Sequence, residues 1–143
     1  MDKISKKQRS YLMSRIRGKD TTIEVTFRKY LWAMGVRGYR VRGKVPGSPD
    51  VYFPKLRFAV FIDGCFWHKC PRCFRKPKSN LRYWNTKIRD NVARDQRTNL
   101  ELRRRKIRYV HIWEHEIKGN PDVAYRKFQR RYTASQTAWN DAK

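Results

Sequence analysis

Acidic side chains are scarce in this sequence of 143 residues, which has 12 Asp and Glu against 36 Lys and Arg and a formal net charge of +24. It contains no run approaching about 18 apolar residues, which excludes a membrane-spanning helix. Its first residues, MDKISKKQRS, lack the apolar stretch of a signal peptide. We therefore expect a cytoplasmic protein that does not contact membranes, and such a charge predicts attraction to polyanions.

Cysteine is also scarce, and Cys65, Cys70 and Cys73 lie close together in the spacing C-x4-C-x2-C. An odd, clustered set does not form a disulfide framework and instead indicates reduced thiolates on a metal. A tetrahedral zinc site needs a fourth ligand, and His115, just past a predicted strand, is favoured over His68 and His111. Two alternatives remain: an iron–sulfur cluster, which lacks a fourth cysteine here, and three free thiols.

Aromatic residues make up 14% of the chain, which argues against a disordered basic tail. The length and the apolar fraction of 39% suit a single domain with one core. Basic groups for phosphates together with aromatic rings for base stacking are typical of nucleic-acid binders. A non-enzymatic ribosomal or chromatin-packing protein would have the same composition.

The hydrophobic patterns predict the element order α-β-β-β-α-β-α. The predicted helices cover residues 20–35, 77–106 and 120–132, and the predicted strands cover residues 39–42, 50–53, 56–63 and 107–113. A helical crossover between two buried strands indicates an α/β fold with a mixed sheet flanked by helices. We divide the chain into a basic segment that we expect to contact nucleic acid (1–18), a domain (19–134) and a polar tail (135–143).

Two carboxylates are expected at strand ends, Asp50 at the start of one strand and Asp63 at the end of the next. A carboxylate placed there can hold Mg²⁺ and leave the ion open to phosphate and water, although Pro-Asp is also common in turns. The lysine usual two residues after the second acid is replaced by Cys65. Nearby, His68 could deprotonate water or simply brace the loop. Glu24 either completes a capping box at a helix start or points toward the metal.

Phe66 and Trp67 are adjacent in the cysteine loop, and Trp84 follows shortly. If exposed, these rings could wedge between base pairs; the alternative is that Trp67 packs beneath the loop. Met13, in the basic N-terminal segment, could be a second wedge or a core residue.

The chain resembles the very-short-patch-repair (Vsr) DNA mismatch endonucleases in five segments, in order and spacing: TTIE, PGSPDVYF, VFIDGCFWHKCPRC, PKSNLRYWNTKIRDNVARD and VHIWEHE. The resemblance covers about residues 5–118. It implies a restriction-endonuclease-like fold with a structural Zn²⁺ site. It also implies a Mg²⁺-dependent nick beside the T of a T:G mismatch, which arises when 5-methylcytosine deaminates.

The resemblance also implies roles for particular residues. Asp50 would be the metal-binding carboxylate, His68 the catalytic histidine, and Glu24 a helix glutamate at the site. Ile62 would offer its backbone carbonyl to the metal. The intercalating residues would be Phe66, Trp67, Trp84 and the N-terminal Met13, and the zinc ligands would be Cys65, Cys70, Cys73 and His115.

One departure concerns the pair Ile62-Asp63, where the best-known members of the family have Thr-His. A histidine that helps with the phosphate is thereby lost, and Asp63 could contact the metal instead. The rival hypothesis is a zinc-containing mismatch-binding protein without catalysis. The expected partners are mismatched double-stranded DNA and mismatch-repair proteins, for a monomer in the bacterial nucleoid. The high charge predicts salt-sensitive DNA binding.

Overall fold

Four strands form one mixed sheet in the computed structural model, which describes residues 21–142. The strands are β1 (Arg40–Val41), β2 (Val51–Phe53), β3 (Phe58–Asp63) and β4 (Arg108–Trp113). They lie in the order β1-β2-β3-β4, with β1, β2 and β3 antiparallel and β3 parallel to β4. The prediction of a mixed sheet flanked by helices is confirmed.

The helices are α1 (Thr22–Ala33), α2 (Leu81–Arg104), α3 (Glu114–Gly119) and α4 (Pro121–Asp141). Asn80, in a left-handed conformation, occupies the N-cap position of α2. The predicted end of the last helix was wrong, because α4 continues to Asp141 through most of the segment assigned to a polar tail. Within this extension Ser135 is 1% exposed, and its hydroxyl donates to the backbone oxygen of Arg131. No helix within residues 21–142 is long and apolar enough to cross a membrane.

The two faces of the sheet belong to two separate apolar clusters, as the alternation of side chains along a strand requires. Phe53, Phe58 and Val60 join the larger cluster, which includes Phe27 of α1 and Phe128 of α4. Neighbouring positions on the same strands point the other way, toward a cluster formed by Tyr52, Ala59, Phe61, Leu102 and Ile107. β3 is therefore buried on both faces, and α2 covers the second.

The parallel pairing of β3 and β4 determines which loops meet. Asp63, the last residue of β3, pairs in register with Trp113, the last residue of β4. The chain leaves both strands at the same edge of the sheet, so the cysteine loop that follows Asp63 begins beside the start of α3.

The loop before β2 is pressed against α2 and β3 at Gly47. This residue has φ +83°, and a Cβ built on it would lie 2.5 Å from Thr98 Cγ2 and 2.9 Å from Phe61 Cε1. Only glycine fits such a close approach without displacing its neighbours. The loop thus brings Asp50 to the sheet at a fixed place.

Candidate active site and metal centre

Asp50 lies immediately before β2, where its carboxylate faces the end of β3. The backbone N–H of Ile62 donates to Asp50 Oδ2 at 2.6 Å. Burial and, to a smaller extent, the charges of Glu24 and Asp63 raise the pKa of Asp50 to about 7, against the lowering effect of this hydrogen bond. A bound cation would stabilise the ionised form of such a carboxylate, because it would offset both the burial and the neighbouring negative charges.

Glu24 combines parts of both roles considered from the sequence. Its backbone N–H donates to Thr21 Oγ1 at 3.3 Å, so Thr21 caps α1. Its side chain is buried, lies 3.9 Å from Arg28 and raises the pKa of Asp50. The main chain of Glu24 therefore contributes to the helix start. Its carboxyl group, together with those of Asp50 and Asp63, forms what we call the acidic site.

His68 is paired with Asp95, a residue of α2 that the sequence analysis did not identify. His68 Nδ1 lies 2.5 Å from Asp95 Oδ2. Burial lowers the pKa of His68, but the hydrogen bond with Asp95 and the charges of Asp63, Asp95 and Asp50 outweigh it and raise the pKa above its usual value. A carboxylate only accepts hydrogen bonds, so the shared proton resides on Nδ1 and leaves Nε2 as the proton acceptor of the neutral ring.

Asp95 belongs to a polar row on α2 formed by Asn91, Asp95 and Asn99, four residues apart and therefore on one face of the helix. Asn91 donates to the backbone oxygen of Trp67 at 3.2 Å, and Asn99 contacts His111 at 2.8 Å. This row lies between the buried Ile88 and Leu102. Polar residues that interrupt an apolar stripe were the sequence signal that could have identified it.

Three thiols and one imidazole converge at the edge where β3 and β4 end. Within residues 21–142 this is the one group of at least three such ligands whose donor atoms lie within 4.8 Å of one another: Cys65, Cys70, Cys73 and His115. The structure thus brings together the four residues chosen from the sequence. Sulfur and imidazole donors in this number suit a tetrahedral Zn²⁺ ion.

The cysteine loop is also held by hydrogen bonds around that cluster. His115 Nδ1 lies 3.4 Å from Cys65 Sγ and 3.5 Å from Cys70 Sγ, and the N–H of Cys70 donates to the Cys65 carbonyl at 2.8 Å. Glu114 accepts from the Cys65 N–H at 3.4 Å and pairs with Lys118 at 2.9 Å. The loop therefore begins at a fixed point beside α3.

The thiols differ in how readily they ionise in the absence of a cation. Burial raises the pKa of Cys65 to about 12. Burial also acts to raise the pKa of Cys70, but the N–H groups of Cys73 and Arg72 and the neighbouring thiols lower it overall. Cys70 is thus more readily ionised than Cys65.

The aromatic residues of the loop pack with Trp84 of α2 in one cluster, defined here as Phe66, Trp67, Phe74 and Trp84. Phe66 lies 5.3 Å from both Trp67 and Trp84 and is stacked on Phe74 at 5.8 Å, between ring centroids. Trp84 is 7% exposed, and Phe66 and Trp67 are half-buried. The rings pack against one another here, and none of the proposed wedges projects freely from the loop. Met13 lies outside the described residues.

Asp63 is buried beneath the same loop. Its Oδ2 lies 2.7 Å from His111 Nδ1, so His111 contacts a carboxylate and takes no part in the thiol cluster. Asp50, Glu24 and Asp63 do not form a closed ligand group like the cysteine cluster.

A strand-end carboxylate beside a histidine–aspartate pair, on a strongly basic chain, is the arrangement of a nuclease. Comparison with known proteins agrees. The sequence model of the family DNA mismatch endonuclease Vsr matches residues 1–73. The type II nicking enzyme V.XorIIP of Xanthomonas oryzae pv. oryzae is 41% identical over 118 residues, covering 81% of this chain and 86% of that protein.

Other relatives carry the same two descriptions. The type II nicking enzyme V.HpaIIP of Haemophilus parainfluenzae is 35% identical over 85% of this chain and 89% of its own. The DNA mismatch endonuclease Vsr of Escherichia coli is 34% identical over 80% of this chain and 74% of its own. The chain belongs to the Vsr family of DNA mismatch endonucleases.

The thiol cluster predicts one tightly bound zinc ion per purified chain. Cys70→Ser should remove the ion and lower the free energy of unfolding by several kcal/mol, because binding at a structural site contributes directly to folding. Zinc content by atomic emission and urea unfolding would measure both effects. His68→Ala is the matched control within the same loop and should retain its zinc. A Cys70→Ser variant with full zinc and unchanged stability would contradict this role.

The raised pKa of Asp50 predicts that its charge opposes folding. At about pH 8 the carboxylate is ionised in both folded and unfolded chains, so Asp50→Asn should raise the free energy of unfolding by on the order of 1–3 kcal/mol in magnesium-free buffer. The gain should shrink as the pH falls through about 7 toward about 4, where the parent carboxyl becomes protonated. Urea unfolding of both proteins would measure it. Asp90→Asn, on the exposed face of α2, should show no such dependence, and a destabilised Asp50→Asn at the higher pH would contradict the account.

Proposed function

We propose that this endonuclease nicks one strand of double-stranded DNA beside the T of a T:G mismatch, in a reaction that depends on Mg²⁺. The observation that carries the proposal is the position of His68. It is hydrogen-bonded to Asp95, lies in the field of Asp50 and Asp63, and is on the same loop as Phe66 and Trp67. A proton acceptor, an acidic cation site and base-stacking rings are thus available to one DNA strand.

Asp50 and the backbone carbonyl of Ile62 would hold the Mg²⁺ ion. Oxygen donors suit this cation, and the crowding of Asp50 by Glu24 and Asp63 supports a positive charge beside it. When bound, Mg²⁺ would polarise the phosphate and stabilise the charge that develops during displacement. The N–H of Ile62 fixes one oxygen of Asp50, which keeps the carboxylate in place before the ion arrives.

His68 acts as the general base. Asp95 holds the ring through Nδ1, and Nε2 takes a proton from the attacking water. The water oxygen forms a bond to phosphorus while the bond from phosphorus to the leaving sugar oxygen breaks, and that oxygen acquires a proton from solvent. Asp95 orients the imidazole and stabilises its protonated form, as a carboxylate partner does in other histidine-based sites.

The aromatic cluster supplies recognition of the mismatch. Insertion of Phe66 and Trp67 between base pairs costs a few kcal/mol per unstacked step. A mismatched pair is the cheapest place for this, because a mismatched base is less costly to unstack and unpair than a paired one. The rings of this chain pack on one another without DNA, so insertion exchanges contacts within the cluster for contacts with bases.

Zinc at the cysteine cluster has a structural role in this proposal. A site with four protein ligands leaves no position for water. It would hold the loop that bears His68, Phe66 and Trp67. We further propose that the enzyme acts as a monomer in the bacterial cytoplasm, on DNA, with mismatch-repair proteins as possible partners and the basic residues 1–18 as an additional DNA contact.

A nicking assay tests the proposal. The substrate is a duplex labelled on both strands with one T:G mismatch in varied flanking sequences, and its fully paired twin is the comparison. Magnesium is added to or omitted from zinc-loaded enzyme, since a strong chelator would remove zinc as well. We expect a cut in the T strand alone, only with magnesium and only in the mismatched duplex.

The variants in this assay separate catalysis from binding. Asp50→Ala should abolish the nick and His68→Ala should slow it about 10²- to 10⁴-fold, while both retain mismatch binding in a gel-shift assay. Asp90→Ala is the matched control. Binding without a cut by the parent enzyme in every flanking sequence would favour the binding-only hypothesis, and equal cutting of the paired twin would reject mismatch specificity.

A further inference from the structure

A second histidine–carboxylate pair lies beside the acidic site and has no part in the reaction described so far. His111, in the middle of β4, has Nδ1 2.7 Å from Asp63 Oδ2 and Nε2 2.8 Å from Asn99 Oδ1. Asp63 is 6% exposed and ends β3, and Asn99 belongs to α2. Three elements of the fold therefore meet in one hydrogen-bonded row.

The ring of His111 is fixed on its faces as well as at its nitrogens. It stacks on Phe61, its partner in the parallel register, with centroids 4.9 Å apart and planes 17° apart. Tyr109 meets it edge-on at 5.5 Å. Both ring nitrogens are hydrogen-bonded, and Phe61 and Tyr109 pack against the ring. The ring therefore cannot rotate without losing a contact, and Nδ1 stays directed at Asp63.

Asp63 ends this row, and it directly follows Ile62, whose backbone N–H donates to Asp50. Its charge acts on both Asp50 and His68, which places it within electrostatic reach of each. One of its oxygens is engaged by His111, and the carboxylate has a second oxygen to offer a cation. A buried carboxylate needs hydrogen-bond partners of this kind, and they also orient it.

We propose that His111, held by Asn99, is a positioning residue that orients Asp63 as the second carboxylate of the Mg²⁺ site beside Asp50. This inference rests on the proposed function and extends it. Asn99 holds the imidazole ring of His111 in place, and this ring in turn holds Oδ2 of Asp63. The other carboxylate oxygen of Asp63 thereby stays directed toward the cation. Groups that orient a metal ligand in this way typically change metal affinity 10- to 100-fold when removed.

Direct binding of Mn²⁺ to zinc-loaded, DNA-free protein tests the proposal, with free Mn²⁺ measured by electron paramagnetic resonance. His111→Phe keeps a ring to stack on Phe61 but removes both nitrogens, and it should weaken Mn²⁺ binding about tenfold. Asn99→Ala should weaken binding in the same direction. His111→Asn retains an amide donor near the place of Nδ1 and should keep most of the affinity. Tyr109→Phe is the matched control and should bind as the parent does.

Nicking provides a second readout that a purely structural role would not produce. In His111→Phe the Mg²⁺ concentration for half-maximal rate should rise about tenfold, while the rate at saturating Mg²⁺ should return close to that of the parent. A variant that remains slow at every Mg²⁺ concentration would place His111 in another step and overturn the inference.

The variants also separate this inference from the proposed function. Unchanged Mn²⁺ binding in His111→Phe and Asn99→Ala overturns the inference, as does equal weakening in Tyr109→Phe. If His111→Phe loses its zinc or unfolds, Asn99→Ala decides, because it leaves β4 intact. Loss of Mn²⁺ binding in Asp50→Asn with normal binding in Asp63→Asn rejects only the inference. Normal binding in Asp50→Asn rejects the proposed metal site itself.

Discussion

The parallel pairing of β3 with β4 is the contact on which the rest of this molecule depends. It places Asp63 beside Trp113, so the loop that leaves β3 begins where the chain turns into α3. Glu114 can then accept from Cys65, and His115 can reach the thiols. A slip of one residue would turn Asp63 to the opposite face of the sheet, because side chains alternate along a strand. The register of β3 and β4 thus positions both the thiol cluster and the acidic site.

The charges of the molecule are divided between surface and interior. The chain carries a net +24, yet the buried ionisable side chains of the described residues include the carboxylates Glu24 and Asp63, and Asp50 is close to them. Positive charge on the surface attracts the DNA backbone, whereas the negative interior is suited to a small cation. Keeping these acids together opposes folding, and the apolar clusters on both faces of the sheet offset that cost.

The sequence was most informative where chemistry and local pattern coincide. Periodicity and residue type were enough to predict the strands around Asp50 and Asp63 and the helices α1 and α2. The choice of His115 with the three cysteines followed from the expectation that neighbouring strand ends meet. The roles that came from resemblance to a known family, such as the carbonyl of Ile62 and the wedge residues, are of a different kind and remain predictions.

Tertiary contacts account for what the sequence did not reveal. The local sequence does not identify the partners of Asp95 and Asn99, because these partners are reached only when α2 packs on the sheet. His111 likewise contacts Asp63 only because two strands distant in sequence pair. The extension of α4 includes Ser135, which is buried by tertiary packing although serine by itself favours helix ends. The packing of Trp84 with the loop rings likewise required the loop to fold back onto α2.

The most direct test of the central claim, that His68 held by Asp95 is the base, is the single-turnover nicking rate against pH at saturating Mg²⁺. Activity should rise as His68 loses its proton. Asp95→Asn removes a hydrogen bond and a charge that raise the pKa of His68, so it should shift this rise to lower pH and lower the plateau, whereas Asp90→Asn should leave both unchanged. A rise that stays at the same pH in Asp95→Asn would contradict the account.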